Sequence, residues 1–111
     1  METGRVLVHN LKRATTVWTR FKGLMGRNGL EQDTGLYLRP CRQIHMFFMR
    51  FPIDAVFVDR NWVVVGLEPN LKPWRLSTYY LTAEAVLELP VGTIARSGLE
   101  PGHRLVGEPN P

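Results

Sequence analysis

The strongest constraint on the fold is one apolar run, from Cys41 to Asp59, that mixes bulky and reactive side chains. Its centre, residues 44–50, is too apolar for an exposed loop and lacks the three-to-four spacing of an amphipathic helix. Aromatic and bulky residues over such a short run favour a β-strand. Because both of its alternating faces are mostly apolar, we predict a central strand covered on both sides. Phe47, Phe48 and Phe57 are therefore predicted to be core residues.

A proline and a turn divide the second half of this run. Pro52 has no amide proton to donate to a neighbouring strand, so the first strand should break or bulge there. A second strand is predicted from Ile53 to Val58, followed by a tight turn at residues 59–62 in which Asn61 is able to take a positive φ. The chain then returns as a partner strand over residues 62–67, which predicts an antiparallel hairpin.

The rest of the chain is predicted to supply one principal helix and several short strands. The helix runs from Thr15 or Thr16 to about Met25, because its apolar residues share one face and a threonine caps its first turn. Thr93 to Ser97 is predicted to form one helical turn closed by Gly98. Short strands are predicted at residues 5–8, 35–39, 85–89 and 104–106. The predicted fold class is α+β: mostly antiparallel β (open sheet or partial barrel) with one principal helix and one short C-terminal helical turn.

An irregular segment, residues 68–82, connects the hairpin to the next strand. Pro69 and Pro73 exclude a continuous helix, while Trp74 and Tyr80 make the segment more apolar than a freely solvated loop. Long loops in compact domains are often functional. We expect this one to pack over the sheet, either as the wall of a binding site or as a cap on the open end of the sheet.

The length of 111 residues predicts a single domain, 1–111, with a core from about residue 5 to residue 107. No stretch approaches the roughly twenty apolar residues of a membrane span, and the first residues lack the apolar core of a signal peptide. Cys41 is the single cysteine, so an intrachain disulfide is excluded. We expect a cytoplasmic protein without membrane association, and the sequence leaves its oligomeric state open.

The net charge of +4 is unevenly distributed. Residues 1–60 hold ten Lys or Arg against five Asp or Glu, whereas residues 61–111 hold four against five. A basic half suits an anionic ligand, an RNA or an acidic partner, but also a solvated basic face. No stretch interleaves aromatic and basic residues as nucleic-acid modules do. A nucleic-acid partner is therefore not expected, and an RNA- or anion-binding module on the basic half stands as an alternative.

Cys41 and His45 bring a metal site and a nucleophile into consideration. A closed zinc site needs four ligands and a catalytic one usually three plus water, but only Met49 and Asp54 lie near these two residues. No metal and no cofactor are therefore predicted. A cysteine–histidine pair would serve a hydrolase or transferase, although four extended residues span about 13 Å and a turn must bring the two together. No catalytic residue is assigned, and this enzyme class is kept as an alternative.

Five short motifs occur in order along the chain. They are Gly23-Leu-Met-Gly-Arg27, Ile44-His-Met-Phe-Phe-Met-Arg50, Pro52-Ile-Asp54, Val86-Leu-Glu-Leu-Pro90 followed by Gly92, and Gly98-Leu-Glu-Pro-Gly102. In this order the chain resembles the prokaryotic "domain of unknown function one-nine-two" proteins, from about Val6 to Leu105. The resemblance implies a compact, β-rich α+β domain with no assigned activity and no catalytic residues to transfer.

We predict a small non-enzymatic binding or accessory domain with a cleft where the central strand meets the proline-rich loop. Arg50 offers a planar fork for a carboxylate or phosphate, unless Asp54 holds it in a structural ion pair. The candidate ligand-binding residues are His45, Met49, Arg50, Asp54 and Trp74. Apolar walls with a few convergent polar groups suit a small anionic or amphipathic ligand.

Overall fold

The computed structural model of the chain describes residues 10–14, 34–47 and 49–106. These residues form the strands β1 (Asn10–Ala14), β2 (Thr34–Leu38), β3 (Ile53–Val58), β4 (Val64–Leu71) and β5 (Ala85–Leu89) and the short helix α1 (Thr93–Ser97). The strands make one open sheet in the order β1–β2–β5–β3–β4. β1 pairs parallel with β2, and the other pairings are antiparallel. The described part is thus compatible with a mostly β member of the α+β class, although its helix content is small.

The centre of the sheet is formed by β5 and β3, whose residues are all buried. Each strand carries apolar residues on both faces, which is the pattern of a strand covered on both sides. Both begin and end where the sequence predicted, because Pro52 stands just before β3 and Pro90 just after β5.

Two apolar layers cover the two faces of the sheet. One contains Phe57, fully buried as predicted, together with side chains from the irregular segment 41–51. The other contains Val56 and Leu87 together with Ile94 of α1. Val56 and Phe57 are neighbours in β3 that fall in different layers, because successive residues of a strand point to opposite faces.

Residues 44–50 do not form the central strand that their composition predicted. They belong to an irregular cover over one face of the sheet, in which Met46 and Met49 are buried while Phe47 is 37% exposed. A hydrogen bond from the Met49 amide to the Met46 carbonyl (3.3 Å) closes a turn that shifts the alternation of the chain. The buried residues therefore share one side, and the prediction that Phe47 belongs to the core was wrong.

The predicted hairpin of β3 and β4 is present. Asp59 Oδ1 accepts hydrogen bonds from the amides of Asn61 (2.8 Å) and Val63 (3.0 Å) and so closes the turn. The prediction placed a positive φ at Asn61. In the structure the positive φ is at Trp62 (65°). The Trp62 ring stacks on Tyr37 at 5.4 Å, a contact that offsets the cost of its left-handed backbone.

β4 is longer than the predicted partner strand and continues through Pro69 to Leu71. It lies at an edge of the sheet, where the missing amide proton of a proline interrupts no ladder. Residues 104–106 were predicted to be a strand, but Arg104 makes only an isolated bridge with Val63.

The predicted C-terminal helical turn is confirmed by α1, which Gly98 closes in the left-handed conformation at φ 69°. β1 was not predicted from the sequence. The predicted principal helix near residues 15–25, the predicted strand at 5–8 and Phe48 lie outside the described residues. Within the described ranges, no helix has the length and hydropathy needed to cross a membrane.

Candidate functional site

Two segments far apart in sequence, residues 41–51 and 71–81, pair as an irregular antiparallel ribbon over one face of the sheet. The amide of Met46 donates to the carbonyl of Arg75 (2.8 Å), and the amide of Trp74 donates to the carbonyl of Met46 (2.7 Å). We refer to these two segments as the arms of the ribbon.

The inner side of the ribbon fixes it to the sheet. Ile44 and Met46 are buried in the apolar layer around Phe57. Ser77 is also buried, and its hydroxyl accepts a hydrogen bond from the Ile44 amide (3.0 Å) while its own amide donates to the Ile44 carbonyl (2.9 Å). Since alternate residues of an extended chain face opposite sides, the residues between these anchors point outward.

The outward side of the ribbon carries a row of three aromatic rings. The ring centroids of His45 and Phe47 are 4.9 Å apart, and those of Phe47 and Trp74 are 6.1 Å apart with 27° between the ring planes. Trp74 is 59% exposed, and Leu76, which bridges to His45 on the facing arm, is 58% exposed. Phe47 and Trp74 therefore expose aromatic ring surface against which a planar ligand can stack.

Trp74 holds a backbone conformation that non-glycine residues rarely adopt, with φ at 68°. For a bulky residue such a conformation costs about 1–3 kcal/mol. The hydrogen bond from its amide to the Met46 carbonyl helps to hold it. Strained backbone of this kind concentrates at ligand clamps and active sites, so Trp74 is a candidate for a functional position.

Four cations lie along the two arms of the ribbon. They are Arg42, Arg50, Lys72 and Arg75, all exposed. Within the part of the chain that the structure describes, none of these side chains forms a hydrogen bond or an ion pair. Neither arm contains Asp or Glu, so no acidic neighbour along the arms neutralises them.

A groove of about 310 Å³ opens beside the aromatic row. It is lined by Glu68, Pro69, Asn70, Leu71, Lys72, Arg75 and Leu76. Its lining combines the cationic ends of Lys72 and Arg75 with the apolar side chains of Leu71 and Leu76. Leu76 belongs both to the groove and to the outward side of the ribbon, so the two surfaces are continuous.

The carboxylate of Glu68 in this groove is engaged by its neighbours. Its Oε2 accepts a hydrogen bond from the Tyr80 hydroxyl (2.6 Å), and its Oε1 accepts one from the Thr78 amide (3.1 Å). Burial of the Tyr80 side chain, followed by the hydrogen bond to Glu68, raises the pKa of Tyr80 to about 12. The Tyr80 ring occupies the space that a Cβ on Gly66 would need, so the ring lies directly on β4.

Asp54 is 1% exposed and serves the fold. Its Oδ2 accepts hydrogen bonds from the amides of Gly92 (3.2 Å) and Ile94 (2.8 Å), and its Oδ1 accepts one from the amide of Asn70 (2.9 Å). The carboxylate thereby ties the start of α1 to the end of β4. The structural ion pair with Arg50 that the sequence suggested is not formed: Asp54 is buried and bound by backbone amides, whereas the Arg50 side chain is exposed.

The structure separates the five predicted ligand-binding residues into two groups. His45 and Trp74 lie on the outward side of the ribbon, and Arg50 is exposed on the same arm as His45. Met49 and Asp54 are buried, at 4% and 1% exposure. Only the first three are therefore placed to meet a ligand at the surface.

Several residues of the site were missed by the sequence analysis. Phe47 was predicted to be buried, and Lys72, Arg75 and Leu76 were not singled out. The available signal was the absence of acidic residues from both arms, which becomes meaningful only once the pairing of the arms is known.

Cys41 and His45 lie in different surroundings. The Cys41 thiol donates to the Gln43 carbonyl (3.3 Å) and lines a separate cleft of about 290 Å³ with Pro40, Arg42, Ala83 and Glu84. His45 Nδ1 accepts a hydrogen bond from the Phe47 amide (3.3 Å). Among the described residues, no group of three His, Cys, Asp or Glu side chains is arranged to hold a metal ion.

Comparison with solved structures finds the same fold in two proteins. One, from Novosphingobium aromaticivorans and of unknown function, gives a TM-score of 0.71 at 28% identity, over 83% of this chain and 70% of that one. The other, from Sinorhizobium meliloti and named only provisionally as a transcription regulator, gives 0.70 at 26% identity, over 85% and 78% of the two chains.

Comparison with sequences finds uncharacterised relatives. A UPF0127 protein of Thermococcus sibiricus is 34% identical over 106 residues, which are 92% of this chain and 68% of the relative. This chain thus spans about two thirds of the length of that relative. The family model DUF192, described as "Uncharacterized ACR, COG1430", matches residues 1–107. Because that match covers nearly the whole sequence, the chain belongs to the uncharacterised DUF192 family, as its five motifs predicted.

Proposed function

We propose that the protein is a non-enzymatic binding domain that holds a small amphipathic anion on the outward side of the ribbon. The observation that carries the proposal is the row of rings formed by half-buried His45 and the exposed Phe47 and Trp74, beside a groove that contains Lys72 and Arg75. An apolar body would lie on the rings and on Leu76. An anionic group would meet the two cations.

The electrostatics of the groove support this assignment. Glu68, the carboxylate of the groove, already accepts two hydrogen bonds, whereas the side chains of Lys72 and Arg75 form none with the described residues. The groove therefore offers donors and positive charge beside a carboxylate whose two oxygens each already accept a hydrogen bond. Its volume of about 310 Å³ lies at the lower end of the range for small-molecule sites, which is about 300–1,000 Å³.

Naphthalene-2-sulfonate is a suitable probe because it joins a planar apolar body to one anionic group. In an NMR titration we expect the Trp74 indole and the amides of the ribbon to shift, and 2-naphthalenemethanol, which lacks the charge, to bind more weakly. Trp74→Ala should lower affinity roughly two- to tenfold, the range that an aromatic contact supplies. Arg75→Gln should lower affinity by a similar factor.

Arg60→Gln is the matched control, since Arg60 is an exposed arginine in the β3–β4 turn. It should leave the affinity unchanged. Equal binding by the charged and uncharged naphthalenes, or equal losses for Arg75→Gln and Arg60→Gln, would remove the anion site from the proposal.

A further inference from the structure

The fold concentrates positive charge on the ribbon. The two arms contain four Lys or Arg and no Asp or Glu, and the remaining residues hold equal numbers of basic and acidic side chains. The whole net charge of +4 therefore resides in residues 41–51 and 71–81. A partner that lies along the arms meets four cations, and the carboxylates of Glu68 and Glu84 that border them belong to other segments, which favours an anionic partner.

The outward apolar residues extend well beyond one small-molecule site. Phe47 and Trp74 lie at one end of the paired arms, while Tyr79 and Leu81, which are 54% and 72% exposed, lie at the other. Residues 75–80 run between turns at 72–75 and 80–83, and at about 3.3 Å per extended residue they span roughly 16 Å. A surface of this length fits several repeating units of an extended polymer.

The ribbon interleaves aromatic and basic side chains, and it does so within each arm as well as between the arms. Trp74 lies between Lys72 and Arg75 on one arm, and the facing arm adds Phe47 and Arg50. Rings stack with unpaired bases whatever the sequence, and arginine and lysine pair with the phosphates between them. Duplex bases are already stacked on each other and have no free face to offer.

We propose that the ribbon binds single-stranded nucleic acid, with bases stacked on Phe47 and Trp74 and phosphates at Arg42, Arg50, Lys72 and Arg75. This inference rests on the proposed binding of an amphipathic anion, because a nucleotide is such an anion: a planar base joined to a phosphate. The further claim is that the natural partner is a polymer of nucleotides. The strained backbone of Trp74 keeps an exposed indole in place for stacking.

The test is fluorescence anisotropy with labelled twelve-residue oligouridylate and oligothymidylate, compared with uridine monophosphate and a twelve-base-pair duplex. We expect both single strands to bind at least about tenfold more tightly than the mononucleotide and the duplex. Log affinity should fall with log salt at a slope of about −2 to −3, as expected for three to four phosphate contacts to a single strand. The ratio of the affinities for oligouridylate and oligothymidylate shows whether RNA or DNA is the preferred ligand.

Trp74→Gly is the decisive variant, because glycine adopts positive φ without strain and the fold should keep or gain stability. It should lower oligomer affinity at least about fivefold with an unchanged or higher melting temperature. Lys72→Gln with Arg75→Gln should reduce the salt slope by about 1.4, whereas Arg60→Gln should leave affinity and slope unchanged.

Three results would overturn the inference. The first is duplex binding as tight as single-strand binding, and the second is full oligomer affinity in Trp74→Gly. The third is binding to phosphatidylserine vesicles without binding to either oligomer, which would assign the ribbon to a lipid surface. Binding of naphthalene-2-sulfonate with no preference for oligomers over uridine monophosphate would reject the nucleic-acid partner and leave the small-anion function standing.

Discussion

Asp54 supplies both carboxylate oxygens to backbone amides from two segments that are distant in sequence. Amides from the β4 end and from the start of α1 converge on it, at 2.8 to 3.2 Å. A buried carboxylate is tolerated when it is hydrogen-bonded. Removing it leaves its buried amide donors without an acceptor. Its charge therefore acts within the fold, which accounts for a charged residue within the apolar run.

Asp54→Ala is expected to lower the free energy of unfolding by roughly 3 kcal/mol or more, because three buried or half-buried amides lose an acceptor. Asp54→Asn should cost less, since one carbonyl oxygen remains. Urea denaturation measures both values. Asp59→Ala, which removes the acceptor of two amides in an exposed turn, should cost about 1 kcal/mol. A loss at Asp54 no larger than at Asp59 would contradict its structural role.

Tyr80 predicts a pH dependence of stability. Its pKa is raised to about 12 in the fold, against about 10 for tyrosine in an unfolded chain. The folded state keeps the proton, so this contribution is fully present below about pH 10 and is lost as the pH rises towards about 12. Tyr80→Phe should flatten the fall in unfolding free energy over this window, whereas Tyr79→Phe, at an exposed site, should leave it unchanged.

Elements whose ends are marked by nearby residues could be predicted from the sequence, and elements that depend on distant pairing could not. β3, β5 and α1 were predicted because proline, glycine and unbroken apolar runs mark their ends within a few residues. The ribbon was not predicted, because its arms pair across about thirty residues and His45 meets Leu76 in a single bridge. Apolar alternation in residues 44–50 indicated burial correctly for Met46, but it does not distinguish a strand within a sheet from a segment lying on one.

The contact between Gly66 and Tyr80 sets the distance between the ribbon and β4. A Cβ at Gly66 would overlap the Tyr80 ring, so Gly66→Ala should displace the ring and cost about 1–3 kcal/mol in unfolding free energy. In a Tyr80→Ala background the same change should cost much less, because the ring is gone. Chemical denaturation of the wild type, the two single variants and the double variant gives the coupling free energy between Gly66 and Tyr80. Additive losses would show that the ring does not press on β4.

At the scale of the whole molecule, the sheet is shared by two apolar layers that have no residue in common. The layers meet through the central strands, since adjacent residues of β3 and β5 belong to opposite layers. Burying both faces of the same strands makes each layer depend on the other. The ribbon, which contributes Ile44 and Met46 to one layer, should therefore unfold with the sheet and not before it.

Two tryptophans report on the two layers separately. Trp62 packs beside the layer that contains α1, and Trp74 lies on the ribbon over the other layer. We propose that the chain is one cooperative domain, so variants that retain only Trp62 or only Trp74, with phenylalanine at the other tryptophans, should each show coincident fluorescence and circular-dichroism transitions in urea. An earlier fluorescence transition for the Trp74 variant alone would mean that the ribbon opens locally while the sheet stays folded. The candidate binding surface would then belong to a separately folding element, and its affinity would depend on the fraction of molecules in which the ribbon is closed.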